Sequence, residues 1–223
     1  MPRQLTFDLP AATEFGADSF FVSGSNRAAH DLVTGPLPWP QGKLVLAGPR
    51  GAGKTHLARI WQARTGGTLV AAADVAALPR PGADARLVVE DLHLIPPEAE
   101  EPLFHLHNLL AATGGLLLMT ADRPPARIGF RLPDLASRMQ ATAVAQIGDP
   151  DDPLLFAVLT KLFADRQLAV QPALLPWLVA RMPRSFAAAR AIVAELDARS
   201  LAEARPITLR LAAEILDMDA PEW

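Results

Sequence analysis

Between residues 43 and 147 five short apolar runs recur, separated by stretches that carry either helical spacing or turn-forming residues. They are Lys43–Ala47 (KLVLA), Thr68–Ala72 (TLVAA), Leu87–Glu90 (LVVE), Gly115–Thr120 (GLLLMT) and Thr142–Ile147 (TAVAQI). This alternation predicts a parallel sheet with helices on both faces. Upstream, SNRAAHDLVTG (25–35) reads as a helix capped by Ser25 or Asn26, and GPLPWPQG (35–42) as a proline-rich break. From Asp151 onward the pattern changes. DDPLLFAVLTKLFADRQL, PALLPWLVARM, RSFAAARAIVAELDARSL and TLRLAAEILDM all have the 3.6-residue period of helices. The expected organisation is therefore an N-terminal tail over 1–18, an α/β domain over 19–150 and a small all-helical domain over 151–223.

The tail has its own pattern. In QLTFDLP, residues 4–10, Leu5, Phe7 and Leu9 fall on one side of an extended chain, and Pro10 ends the run. The connector that follows, AATEFGADSFF, is built of small and acidic residues and offers no pairing strand. The stretch reads as a peptide for a partner's groove.

Composition narrows the function classes. With 223 residues and 50% hydrophobic content the chain can bury one or two cores, and 20% charged residues is ordinary for a globular protein. A net charge of -3 gives no global basic field, so any contact with DNA is expected to be indirect. Cysteine is absent, which excludes disulfides, thiol catalysis and cysteine-based zinc sites. No apolar run approaches the roughly 20 residues of a spanning helix, and a cytoplasmic location without membrane contact is expected.

The candidate chemistry starts at GPRGAGKT, Gly48–Thr55, which fits G-x-x-x-x-G-K-T, follows a predicted strand and opens a predicted helix. Glycines such as Gly48, Gly51 and Gly53 let successive backbone N–H groups surround a β-phosphate at the helix N-terminus. Lys54 supplies a cation to the β/γ oxygens and the Thr55 hydroxyl a ligand for Mg²⁺. Farther on, LVVEDLH ends its strand with Glu90 beside Asp91. In a phosphate-loop protein one such acid serves Mg²⁺ and the other the attacking water. Glu90 takes the metal position, where aspartate is usual, and Asp91 the water-orienting one; that inversion predicts weak intrinsic hydrolysis.

The segment LLLMTADRPPARIGFRLPDLASRM, 116–139, carries a longer signature. Together with SNRAAH, GPRGAGKTHL and LVVEDL it resembles the AAA+ module of DnaA-type bacterial replication initiators, and more closely their Hda-like relatives. The resemblance covers nearly the whole chain. It implies an AAA+ P-loop core with a five-stranded parallel sheet and a helical lid, and ADP or ATP with Mg²⁺ as ligand, the ADP form being favoured. His56 joins the nucleotide-binding residues. Asp122 takes the sensor position near the γ-phosphate, and Arg138 of LASR is an arginine finger offered to a neighbour's nucleotide. Independently, Arg138 on spacing alone could pair with Asp134, four residues earlier.

In Hda-like proteins a short Q-L-x-Φ-x-L motif binds the replicative sliding clamp, and Gln4, Leu5, Phe7 and Leu9 match it. Because the sequence ends at Trp223, soon after the lid, the expectation is a relative without the initiator's DNA-binding domain. Its expected partners are the clamp and DnaA, with DNA reached through the clamp and self-association allowed. Its expected role is to promote ATP hydrolysis on DnaA and so restrain initiation. A helicase-loading or DNA-recruiting ATPase, or a stand-alone P-loop kinase, are the alternatives. The family's lid arginine falls on Ala187; Arg184 takes the assignment, with Arg190 also within one turn.

Six further residues bear on function. His105 and His107 lie two apart in a helical stretch and face different sides, which argues against a metal pair and for surface histidines. Trp39 could cover a base, but in PLPWPQG it reads better as an apolar anchor. Arg123, Arg127 and Arg131 make a locally basic stretch.

Overall fold

The computed structural model describes residues 20–36 and 39–217. Gln4, Leu5, Phe7 and Leu9 lie outside the described residues. The five expected strands form within about a residue of their expected bounds: β1 (Lys43–Ala47), β2 (Thr68–Ala71), β3 (Arg86–Glu90), β4 (Leu116–Ala121) and β5 (Ala143–Gln146). All pair in parallel in the order β2-β3-β4-β1-β5. Helices α1 (Arg27–Thr34), α2 (Lys54–Thr65), α3 (Pro97–Thr113) and α4 (Pro133–Gln140) cover the sheet.

Strand side chains divide by parity between two cores. Leu44, Leu46, Val88 and Leu118 pack with Leu57, Ile60 and Trp61 of α2, whereas Val45, Val89, Leu117 and Met119 pack with Leu103, Leu106 and Leu110 of α3. Each fully buried leucine in such a layer contributes about 2 kcal/mol relative to exposure. Trp39 is the expected anchor: it is buried, stacks on Trp61 with centroids 5.5 Å apart, and donates its indole N–H to the Leu32 carbonyl at 2.7 Å. It lines neither of the cavities described below.

Four helices, α5 (Asp152–Asp165), α6 (Leu174–Arg181), α7 (Phe186–Glu203) and α8 (Leu209–Ile215), share a third core of Leu155, Leu159, Leu178, Val193 and Leu211. Asp151 joins this unit to the rest. Its carboxylate accepts from the backbone N–H of Leu154, capping α5, and from that of Ser25 ahead of α1.

A buried carboxylate sets the segment that leads into α4. Glu100 of α3, 5% exposed, accepts backbone N–H bonds from Arg131 at 2.9 and 3.0 Å and from Leu132 at 2.7 Å. Charge-assisted bonds of this kind are each worth about 1.5–3 kcal/mol. They fix where α4, and the arginine near its end, emerges.

Candidate functional site

The phosphate-loop sequence builds its cradle from the end of β1. Gly51 and Gly53 take φ values of +89° and +87°, which side chains with a Cβ rarely adopt, and α2 starts at Lys54 with no side-chain cap on its free N–H groups. Lys54 is buried, and its ammonium donates to the carbonyls of Gly48 at 2.8 Å and Pro49 at 3.0 Å. Burial pulls the Lys54 pKa below its ordinary value; Asp91 and Asp122 oppose that pull more strongly than Glu90 does.

Two cavities meet at Lys54. One, of about 590 Å³, is walled by Phe20, Phe21, Gly53, Thr55, His56 and lid residues including Phe186 and Arg190. Phe20 meets His56 edge to face at 5.3 Å, so aromatic surface adjoins the loop. The other, of about 510 Å³, is lined by Arg50, Asp91, His93, Asp122, Arg123 and Arg127. The first suits a nucleoside, the second the outer end of its phosphate chain.

The acids divide unequally. Asp91 lines both cavities, with a left-handed backbone (φ 56°) and its N–H bonded to the Thr120 hydroxyl at 3.1 Å. Glu90 lines neither, and its Oε1 is buried without a hydrogen-bond partner. Asp122 is gripped by the Arg123 fork, Nε at 2.7 Å and Nη2 at 2.8 Å, which holds its carboxyl below the usual carboxylate range. Its backbone N–H donates to His93 Nδ1 at 3.3 Å.

Of the two lid arginines, the structure brings Arg190 to the loop. Arg190 donates to the Arg50 carbonyl at 2.8 Å, and a Cβ at Gly51 would overlap its guanidinium. Arg184 instead forms a two-pronged pair with Asp152, at 2.8 and 3.1 Å, on the exposed junction. The physical reason is proximity: Asp152 opens α5 within reach of Arg184, and its carboxylate holds the guanidinium in a bidentate pair.

Arg138 stands apart from this assembly. The Thr142 hydroxyl donates to its carbonyl at 2.9 Å, and the next residue, Ala143, pairs with Leu44 at the start of β1. The phosphate loop leaves the other end of that five-residue strand, about 13 Å away at 3.3 Å per residue. The Arg138 side chain is exposed, and among the described residues its guanidinium makes no hydrogen bond or ion pair, with Asp134 or any other acid.

The paired histidines separate as expected but are not both at the surface. His105 is exposed beside Glu101, whereas His107 is 3% exposed and its Nδ1 lacks a partner. Burial, with help from Lys43, pushes the His107 pKa down to about 4. The unfolded chain therefore takes up this proton first. The contribution of neutral His107 is complete above about pH 6.5 and is lost as pH falls toward 4, amounting to about 2 kcal/mol between pH 7 and 5. Unfolding titrations of wild type and His107→Leu at the two pH values should differ in slope by that amount; equal slopes would refute the assignment. Among the described residues no group of three or more His, Asp or Glu is placed to hold a metal ion by itself, so a Mg²⁺ here would need phosphate oxygens and water.

No protein-family model matches the chain. It is 25% identical to the chromosomal replication initiator protein DnaA of Cutibacterium acnes over an alignment of 232 positions, covering 92% of this chain and 46% of that protein. It is 26% identical to DnaA of Caulobacter vibrioides over 66% of this chain and 35% of that one. The chain thus spans less than half the length of these relatives. Among solved structures, domain III of Thermotoga maritima DnaA superposes with a TM-score of 0.72 at 18% identity, covering 94% of this chain and 98% of that one. A replication initiator DnaA bound to AMPPCP and single-stranded DNA gives 0.65 at 16% identity, over 87% and 69%. The Thermotoga maritima RuvB T158V structure gives 0.57 at 17% identity, over 80% and 63%. Strand order, phosphate loop, lid and sequence agree on one description: the chain carries a DnaA-like AAA+ domain.

Proposed function

We propose that this chain is a regulatory AAA+ adaptor that binds adenine nucleotide and the DNA-loaded sliding clamp, and offers Arg138 to the nucleotide of DnaA to stimulate hydrolysis there. The observation that carries this reading is the position of Arg138: exposed, without a hydrogen-bond or ion-pair partner among the described residues, and at the end of the sheet remote from its own phosphate loop. A guanidinium so placed is of no use to the chain's own nucleotide, yet it has the planar donor geometry that stabilises charge on a transferring phosphoryl group. Related support comes from the AMPPCP held by two DnaA structures of the same fold.

The residues present fit a nucleotide. Lys54, the N–H groups opening α2 and Arg190 would hold the phosphates, and the Phe20, Phe21 and His56 wall would take the base. Thr55 with Asp91, or with Glu90 through its unpartnered oxygen, would hold Mg²⁺, whose charge would offset that of the phosphates. Arg123 keeps Asp122 anionic in the second cavity, which Asp91 also lines. A DNA-recruiting role is the second reading; the exposed Arg123 and Arg127 favour it.

The test is a reconstituted mixture of DNA-loaded clamp, ATP-bound DnaA and this protein, in which wild type should speed formation of ADP-bound DnaA. Changing Gln4, Leu5 and Phe7 to alanine should abolish clamp capture while leaving nucleotide affinity and melting temperature unaltered, the result expected of a peptide that serves a partner's groove. Stability lost on the scale of a core mutation would assign the tail to the fold instead.

A further inference from the structure

Three nitrogen-bearing side chains from three elements converge at the end of the sheet opposite the phosphate loop, and among the described residues none has a counter-charge. Lys43 opens β1, is 1% exposed, and its ammonium has one hydrogen bond, to the Gln41 carbonyl at 3.2 Å. His107 of α3 is buried with Nδ1 unpartnered. Arg138, near the end of α4, is tied to the neighbouring strand through Thr142, where Ala143 lies beside Leu44. No carboxylate among the described residues pairs with any of the three. Burial is the main cause that lowers the pKa of Lys43 and of His107, and the positive charge of Arg138 adds a smaller push on each.

Packing does not account for the lysine. A buried ammonium with a single neutral partner is costly, and an unbranched apolar side chain would occupy the same strand position without that cost. The rest of β1, Leu44 to Ala47, is apolar and fully buried. A charge retained in such a place acts on something outside the core, and the exposed group that feels it is Arg138.

We propose that Lys43 is a positioning residue for Arg138, its buried charge standing behind the guanidinium to turn it outward and to strengthen the field met by a partner's phosphates. The inference rests on the reading of Arg138 as an arginine offered in trans. Two effects follow from electrostatics. Repulsion from the fixed ammonium disfavours rotamers that fold the guanidinium back over the start of β1. The ammonium, held in a dry position, also acts on an incoming anion with little screening and without rearranging. His107, kept neutral beside it, adds no third charge to the node.

Lys43→Met tests the assignment in the reconstituted mixture. At saturating partner the stimulated hydrolysis should fall roughly 5- to 20-fold, the scale of one unit charge acting across several ångströms at intermediate dielectric. Thermal stability should hold or rise, affinity for labelled ADP should not change, and the His107 imidazole should titrate above its value of about 4 once the lysine charge is gone. Lys43→Arg should keep most of the stimulation. Wild-type stimulation by Lys43→Met would overturn the inference. So would a loss of stimulation that tracks a loss of stability and is not rescued by Lys43→Arg, because the lysine would then be structural. Arg138→Ala run in parallel separates the two layers: if that variant still stimulates, the trans reading fails; if it does not while Lys43→Met does, only the role of Lys43 fails.

Discussion

Arg138→Ala should lose about 10³-fold of the stimulated hydrolysis on DnaA, the usual share of an arginine supplied in trans. The same variant should bind labelled ADP, capture the clamp and melt as wild type does. Its side chain is exposed and, among the described residues, its guanidinium has no hydrogen bond or ion pair to lose, and about 13 Å of β1 separate it from the chain's own phosphate loop. Arg138→Lys should fail nearly as badly, since an ammonium lacks the two-donor fork. The decisive readout is the rate at which ATP-bound DnaA becomes ADP-bound on DNA-loaded clamp. An alanine variant as active as wild type would reduce this chain to a tether.

Lys54→Ala carries the second large effect, on the other end of the sheet. The ammonium that now bonds to the Gly48 and Pro49 carbonyls brings a full positive charge to the point where the two cavities meet. Two charge-assisted bonds of at least 1.5 kcal/mol each correspond to about 100-fold or more in affinity. The fold should survive, because the substitution breaks two bonds to neutral backbone carbonyls and, among the described residues, no ion pair. Titration with labelled ADP checks it; equal affinities for wild type and variant would remove the phosphate site from Gly48–Thr55.

What the sequence disclosed, and what it hid, follows from the range of the forces involved. The strands were legible because each is a short apolar run bounded by loop residues, and side-chain parity alone assigns Leu44 and Val45 to opposite cores. The loop was legible because its conformation is written into adjacent glycines. Glu100 was not: in PEAEEPL it looks like a solvated acid at a helix start, and the N–H groups it accepts lie 31 and 32 residues away. His107 was misread as a surface group because its helix is apolar on the face that also holds Leu103, Leu106 and Leu110. The choice between Arg184 and Arg190 was invisible for a similar reason, since it turns on Asp152, a residue of another helix. Helical spacing tells which residues share a side, but not which side a distant element will cover.

The separation of Arg138 from Lys54 along β1 has a consequence for symmetry. If one molecule's arginine is to reach another's phosphates, the two groups that meet come from opposite ends of the same sheet, so a contact that joins one arginine to one nucleotide is head-to-tail, unlike a two-fold contact, which would join both at once. Any row of such domains then has unlike ends, one with a nucleotide that no arginine reaches and one with an arginine that reaches no nucleotide. A molecule that joins at the first end completes the site already there and leaves its own exposed in turn.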